Sequence, residues 1–299
     1  MDQHLQVFIA VAERKNFSRA AEELHMTQPA VSQYIQTLER DIGTRLLERS
    51  NKYVRLNQAG EIVYYHAKEI VGLHEKMKLL VDDLTNTASG SLSIGASYTF
   101  GEYILPHIIA KMHEKYPLIH PAITIGNSKE IEELVASHQL DVGIIENECR
   151  NKKLSSESFA EDAMFVVMSK NHPFSQVRKE IGWRELEEET WIIRENGSGT
   201  RGATDALFRL FDCKPKKLME FGSTQLIKES VEAGLGISLL SQWALRKEFS
   251  IGNLQKIQVK GTPFTRQFTI VTQTPFQTKA VQVFLELVRE HKDLSNLIK

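Results

Sequence analysis

Cysteine is scarce. Cys149 and Cys213 are the two present in 299 residues, and neither CxxC nor zinc-type spacing occurs. Two unpaired, reduced thiols are expected, and a disulfide framework is excluded. Long apolar runs are missing too: none approaches the ~18 residues that a membrane span requires. The opening MDQHLQVFIAVAERK carries an acid at its second position and a helical apolar pattern, unlike a secretory signal, so the expected location is cytoplasmic with no membrane partner. Charge of one sign is also lacking, since the formal net charge is −1.

Catalytic signatures are absent as well. Gly197-Ser198-Gly199 lacks the GxSxG spacing, and Ser97 follows Gly95 but has no glycine after Tyr98. His74-Glu75 and His113-Glu114 have no second histidine in HExxH register, and no GxxxxGK[ST] loop exists. The acid pairs Glu22-Glu23 and Glu132-Glu133 and the run 187–189 lie in polar, solvated segments. Neither an enzyme nor a metal site is expected.

What is present is a soluble composition, with 41% hydrophobic and 25% charged residues, and a length that suits two or three compact units. Leu5, Phe8, Ile9 and Ala12 recur at helical spacing in residues 2–15. Ser18 is the expected cap of a short helix over 19–24, followed by a tight turn at His25-Met26. Thr27 can cap the next helix, with Pro29 in its first turn, where a missing N–H costs nothing, and Gly43 at its end. RLLERSNKYVRL (45–56) reads as two short strands around a polar turn at 50–52.

On a helical projection of TQPAVSQYIQTLE, Val31, Ile35, Leu38 and Ile42 share one face with Tyr34 at its edge. Pro29, Ser32, Gln33, Gln36 and Arg40 occupy the opposite arc, as hydrogen-bonding side chains able to reach base edges in a major groove. A helix, a tight turn and a helix with a polar outer face form a helix-turn-helix, and the strand pair supplies a wing. The pattern alone equally permits a surface helix whose polar face meets water. Between Arg40 and Arg55, five cations (Arg40, Arg45, Arg49, Lys52, Arg55) outnumber two acids (Asp41, Glu48), a modest electrostatic footprint.

A long helix is expected from after Gly60 to about Ala88. Val63, His66, Ile70, Leu73, Met77, Leu80 and Leu84 alternate in steps of three and four, which makes a coiled-coil seam about 45 Å long at ~1.5 Å per residue. Such a stripe needs a partner, most simply its copy in a second subunit. TASGS (87–91) marks the domain boundary. Beyond it strands and helices alternate (SLSIGAS, AITIG, LDVGII, AMFVVMS, LMEF, GISLLS, QFTIVTQ), which argues an α/β domain with mostly parallel sheets, split into two lobes with a cleft between them. RENGSGTRG (194–202) leads small residues, hydroxyls and Arg201 into a helix N-terminus, a setting that favours negative charge. Ser97-Tyr98-Thr99 and Asn127-Ser128 likewise end a strand and open a helix. In VEAGLGISLLS, Gly234 and Gly236 allow a tight helix-to-strand turn.

FSRAAEELHMTQPAVSQYIQTLERDIGTRLLER, followed by the wing and LNQAG, resembles the DNA-binding segment of the LysR-type transcriptional regulators without a gap from about Leu5 to Gly60. The order of the remaining segments is similar to that family throughout. The resemblance implies an α/β chain overall: a winged helix-turn-helix over 1–58, a dimerising linker helix over 59–88, and a two-lobed effector domain over 89–299, similar to periplasmic binding proteins. Lobe I would take about 89–160 and 268–299, and lobe II 161–267. By position, Thr27, Gln28, Pro29, Ser32, Gln33 and Gln36 would face DNA. Ser18 and Arg19 would approach the backbone, and Arg49, Asn51, Lys52 and Arg55 would reach from the wing. Ser97, Thr99, Asn127, Ser128, Ser198, Gly199, Thr200 and Arg201 would line a pocket for a small anionic effector, with no other cofactor. The implied partners are double-stranded promoter DNA, further copies of the chain as homodimer or homotetramer, and RNA polymerase. The Gly-Ser-Gly-Thr-Arg loop is reminiscent of members tied to sulfur or carbon assimilation. Three positions depart from the common pattern: Tyr34 for a polar residue, Leu47 for Phe and Asn57 for Thr. The rival class, a plain solute-binding protein, does not explain the first 60 residues.

Overall fold

A computed structural model describes residues 2–49, 53–82, 88–149, 151–177, 179–273 and 277–290. The chain forms two compact units, one ending with the long helix and one beginning with the first strand of the α/β region.

The first unit contains α1 (Asp2–Arg14), α2 (Phe17–Glu23), α3 (Gln28–Ile42), β1 (Leu47–Arg49), β2 (Val54–Leu56) and α4 (Gln58–Asp82). Leu5, Phe8 and Val11 of α1 pack with Ala20, Ala21, Val31, Ile35, Leu38 and Leu46. The cap of α2 is Asn16 rather than the expected Ser18: its side chain accepts the Arg19 N–H at 3.0 Å. The reason is packing, because partly buried Phe17 joins the core and draws the first turn two residues forward. Thr27 caps α3 by accepting the Ala30 N–H at 3.4 Å, and Gly43 ends it at φ 83°. β1 and β2 pair antiparallel, Leu47 opposite Leu56.

Asn57 is the cap of α4. Its side chain accepts the Gly60 N–H at 2.8 Å and donates to the Arg45 carbonyl at 2.8 Å, so this departure from the family pattern serves the same turn. Gly60 lies so close to the wing that an added Cβ would stand 2.1 Å from the Leu46 carbonyl oxygen. Gly60→Ala should therefore destabilise this unit by about 1–3 kcal/mol, read by urea unfolding of the variant against wild type.

Helix α4 carries two apolar stripes. Ala59, Val63, Ala67 and Val71 join the winged-helix core, and α1 packs on α4. Val63 thus turns inward to its own protomer instead of heading the outward seam. Ile62 (59% exposed), Ile70 (49%), Leu73 (52%), Met77 (53%) and Val81 (60%) form the outward stripe with Tyr65. His66 is exposed and bonds Glu69 at 2.8 Å, and Leu80 is half-buried. Leu84 lies outside the described residues.

The second unit contains β3 (Gly90–Ser97), α5 (Tyr98–Tyr103), α6 (Leu105–Lys115), β4 (Ile119–Gly126), α7 (Ser128–Ala136), β5 (Val142–Glu146), β6 (Ser155–Ser169), α8 (Trp183–Leu186), β7 (Thr190–Arg194), α9 (Gly199–Leu210), β8 (Lys217–Phe221), α10 (Thr224–Glu232), β9 (Ser238–Ser241), α11 (Gln242–Ile251), β10 (Leu254–Lys256), β11 (Phe264–Thr272) and α12 (Lys279–Glu290). The expected mostly parallel arrangement is corrected to a mixed one. β3 pairs parallel with β4 and β5, and β7 with β8, but β5, β11, β6, β9 and β10 are joined by antiparallel pairs. The cause is the two long strands β6 and β11, which run side by side in opposite directions from one hydrophobic core to the other. One core gathers Leu92, Ile94, Phe100, Phe159, Phe268 and Phe284. Another gathers Met164, Val166, Trp191, Leu207 and Ile237 on the far side of the crossing. Gly234 turns at φ 83°, and Gly236 approaches the Thr190 carbonyl so closely that a Cβ would lie 2.1 Å from it.

Candidate DNA interface and ligand cleft

The side chains of α3 divide as its apolar stripe dictates. Val31, Ile35 and Leu38 are buried, while Thr27, Gln28, Pro29, Gln33, Gln36 and Arg40 are exposed and Ser32 is half-buried. Gln28 donates to Ser32 Oγ at 3.1 Å, which holds its amide along the helix, and Gln33 and Gln36 have exposed amides. Tyr34 leans the other way. Its hydroxyl donates to Gln3 of α1 at 2.9 Å and its ring meets His4 edge-on, so it braces α3 against α1. Ser18 and Arg19 are exposed on α2.

The wing cations differ. Arg49 bonds Glu39 at 2.9 Å, and Glu39 also accepts the N–H groups of Leu46 and Leu47 at 2.9 and 3.3 Å. With its guanidinium 5.3 Å from the Phe17 ring, Arg49 fastens the wing to α3 and α2. Arg55 bonds Glu48 at 2.6 Å and lies 5.2 Å from the Tyr53 ring, fully on the surface side, where a phosphate can take Glu48's place. Asn51 and Lys52 lie outside the described residues. Gln33→Ala should cost about 1–3 kcal/mol of base discrimination, whereas Arg55→Ala should weaken every sequence alike. Titrating both variants on matched and scrambled duplexes checks this, and interchanged patterns would refute it.

In the second unit, Ser97 and Thr99, Ser128, and Ser198, Gly199 and Thr200 are buried where α5, α7 and α9 begin, with Asn127 half-buried beside them. They converge on Glu146, the last residue of β5. Its carboxylate accepts the Thr99 N–H at 3.0 Å and the Thr200 hydroxyl at 3.3 Å, and it is ion-paired with Arg266. Arg266 also donates to Asp162 at 2.8 Å, Thr99 Oγ1 at 2.9 Å and Thr200 Oγ1 at 3.1 Å. Asp162 and Arg266 are cross-strand partners of β6 and β11, and Ser241 donates to Asp162 at 2.6 Å. Burial alone would raise the Glu146 carboxyl, but Arg266 and the bonds from Thr99 outweigh it and hold it below the usual carboxylate range. Burial wins at Asp162, which is pushed up despite Arg266. Ser97 Oγ sits near the Glu146 carboxylate without a well-formed hydrogen bond.

Arg201 lines a cavity beside these residues and is at the same time paired with acids. Its Nε donates to Asp205 at 3.0 Å and its Nη1 to Glu220 at 2.7 Å and the Arg194 carbonyl at 3.1 Å, so its charge is answered on α9 and β8. The cation at the centre is Arg266, which sequence reading passed over. A signal existed: Arg266, Phe268 and Ile270 alternate onto one buried face, as do Ala160, Asp162, Met164 and Val166. A charge at an inward strand position requires a buried partner. A cavity of about 670 Å³ adjoins Glu146 between α7 and α9, walled by Lys129, Glu132, Glu133, Glu148, Arg201, Asp205 and Arg209 among others.

Both cysteines are unpaired. Burial pushes the Cys213 thiol up to about 11, so at neutral pH it stays protonated and unreactive. Iodoacetamide should label it far more slowly in native than in urea-unfolded protein, as mass spectrometry would show.

Comparison with known proteins places this geometry. Residues 3–61 match the bacterial regulatory helix-turn-helix protein, lysR family, and residues 85–293 the LysR substrate binding domain. The chain is 36% identical to the HTH-type transcriptional regulator CysL of Bacillus subtilis, over 99% of this chain and 98% of that one. It is 32% identical to the RuBisCO operon transcriptional regulator of Allochromatium vinosum, over 89% and 88% of the two chains. The Synechocystis CcmR regulatory domain in complex with 2-PG superposes with a TM-score of 0.63 at 26% identity, over 68% of this chain and 98% of that one. The chain belongs to the LysR family of DNA-binding transcriptional regulators, proteins that read promoters and do not catalyse reactions.

Proposed function

We propose that this regulator works in the cytoplasm as a dimer or tetramer on a twofold-symmetric promoter, and that a small anion entering the cleft of its second unit changes its activity toward RNA polymerase. The observation that carries the DNA reading is the exposed Gln28, Gln33 and Gln36 row on a helix whose opposite face buries Val31, Ile35 and Leu38. Two such modules, paired through the outward stripe of α4, match two half-sites. The anion reading rests on the donors that converge in the cleft: the Thr99 N–H, the Thr200 hydroxyl and the Arg266 guanidinium. One relative is a RuBisCO operon transcriptional regulator and the CcmR regulatory domain is in complex with 2-PG, which supports carbon assimilation over the sulfur alternative.

A gel shift with salt titration tests the first part. With about 6–10 phosphate contacts per complex, affinity should fall roughly 10³–10⁵-fold between 50 and 200 mM salt. A protein that shifts no promoter DNA at any salt would overturn the reading. Mapping the genomic sites it occupies would name the regulated genes, and calorimetry with a panel of metabolic anions would identify the effector.

A further inference from the structure

The donors that would receive an effector already hold a carboxylate. Glu146 takes the Thr99 N–H at 3.0 Å, the Thr200 hydroxyl at 3.3 Å and the Arg266 guanidinium, and these are the groups that a free carboxylate, sulfate or phosphate would ask for. The fit is close: a Cβ added at Gly199 would stand 2.2 Å from Glu146 Cβ. The geometry points to Glu146 as a tethered anion that occupies the effector's own donors and is expelled when an incoming oxyanion takes them.

Two further features separate this arrangement from an ordinary buried ion pair. Ser97 is 1% exposed, and its Oγ lies beside the carboxylate without a well-formed hydrogen bond, so the site holds a donor that Glu146 engages only weakly. The cavity of about 670 Å³ opens directly on Glu146, which lines its wall together with Lys129 and Arg209. The side chain therefore has room to swing out without breaking the chain's path, into a cavity where Lys129 and Arg209 stand among the acids Glu132, Glu133, Glu148 and Asp205. Arg266 is never left unpaired in the exchange, because Asp162 keeps its Nε at 2.8 Å. One anion replaces another, and the buried charge is unchanged. Two anions cannot share these donors, so binding must be competitive with the protein's own carboxylate.

The inference rests on the anion reading of the cleft. Calorimetric titration of the full chain with inorganic sulfate and inorganic phosphate tests it, comparing wild type, Glu146→Gln and Glu146→Asp. The amide keeps the shape and removes the competing charge, so Glu146→Gln should bind at least tenfold tighter than wild type. The shorter Glu146→Asp cannot reach Arg266 and Thr99 together and should fall between them, which keeps the test informative if the amide variant folds poorly. Wild type binding as tightly as Glu146→Gln would overturn the exchange while leaving the anion reading intact. No binding by any of the three would remove both, since with the plug neutralised these donors accept any small oxyanion. A sulfate-dependent rise in melting temperature, larger for Glu146→Gln than for wild type, is the accompanying result expected.

Discussion

Arg266→Met should lower the stability of the second unit by about 3–5 kcal/mol, the cost of breaking a buried ion pair from one side. Arg266 and Asp162 are wholly buried, and Glu146 nearly so, so no water replaces the lost guanidinium. Two carboxylates would then face each other with only hydroxyls and one backbone N–H for company. For a unit of roughly this size each kcal/mol moves the midpoint by about 2–4 °C, so melting should fall by about 6–20 °C. The variant that also carries Glu146→Gln and Asp162→Asn should recover most of that loss, because the charges that needed Arg266 are gone. Thermal denaturation followed by circular dichroism checks both. A loss below about 1 kcal/mol, within the range of surface pairs, would show that the three charges are not buried together.

The second large effect concerns α4. Leu73→Asp with Met77→Asp puts two charges into the outward stripe, where Leu73 is 52% and Met77 53% exposed in the single chain. Neither side chain belongs to the winged-helix core, so each protomer should stay folded while the pairing of copies is lost. A linked second module acts at millimolar effective concentration, and losing it should weaken operator binding by at least about 100-fold. Light scattering should show a monomer and the gel shift a matching loss of affinity. A variant that remains dimeric, or binds its operator as before, would move the interface elsewhere.

What was legible in the sequence was what is local. Thr27, Pro29 and Gly43 punctuate α3 within seventeen residues, and the stripe of Val31, Ile35 and Leu38 needs only the helical period. Even there, Asn16 displaced Ser18 as a cap because Phe17 found the core, a tertiary event. The centre of the cleft is the opposite case. Arg266 meets Asp162 and Glu146 across separations of 104 and 120 residues, and no window of sequence contains the three. The QFTIVTQ strand began one residue past Arg266, and RENGSGTRG drew attention to Arg201, whose partners Asp205 and Glu220 already satisfy it. Strands β7 and β10 and helix α11 were not anticipated. Fully buried Trp191 and Ile192 show no alternation, and a three-residue strand leaves no period to read.

Arg266 donates to Thr99 on one side of the crossing strands and to Thr200 on the other. A hydrogen bond survives only a few tenths of an ångström of stretch before it is effectively gone. Parting the halves of this unit by the width of one atom would therefore leave the guanidinium unable to serve both threonines at once. Its domain should snap between discrete openings instead of breathing by degrees, which is the behaviour a promoter needs from something asked for a yes or a no.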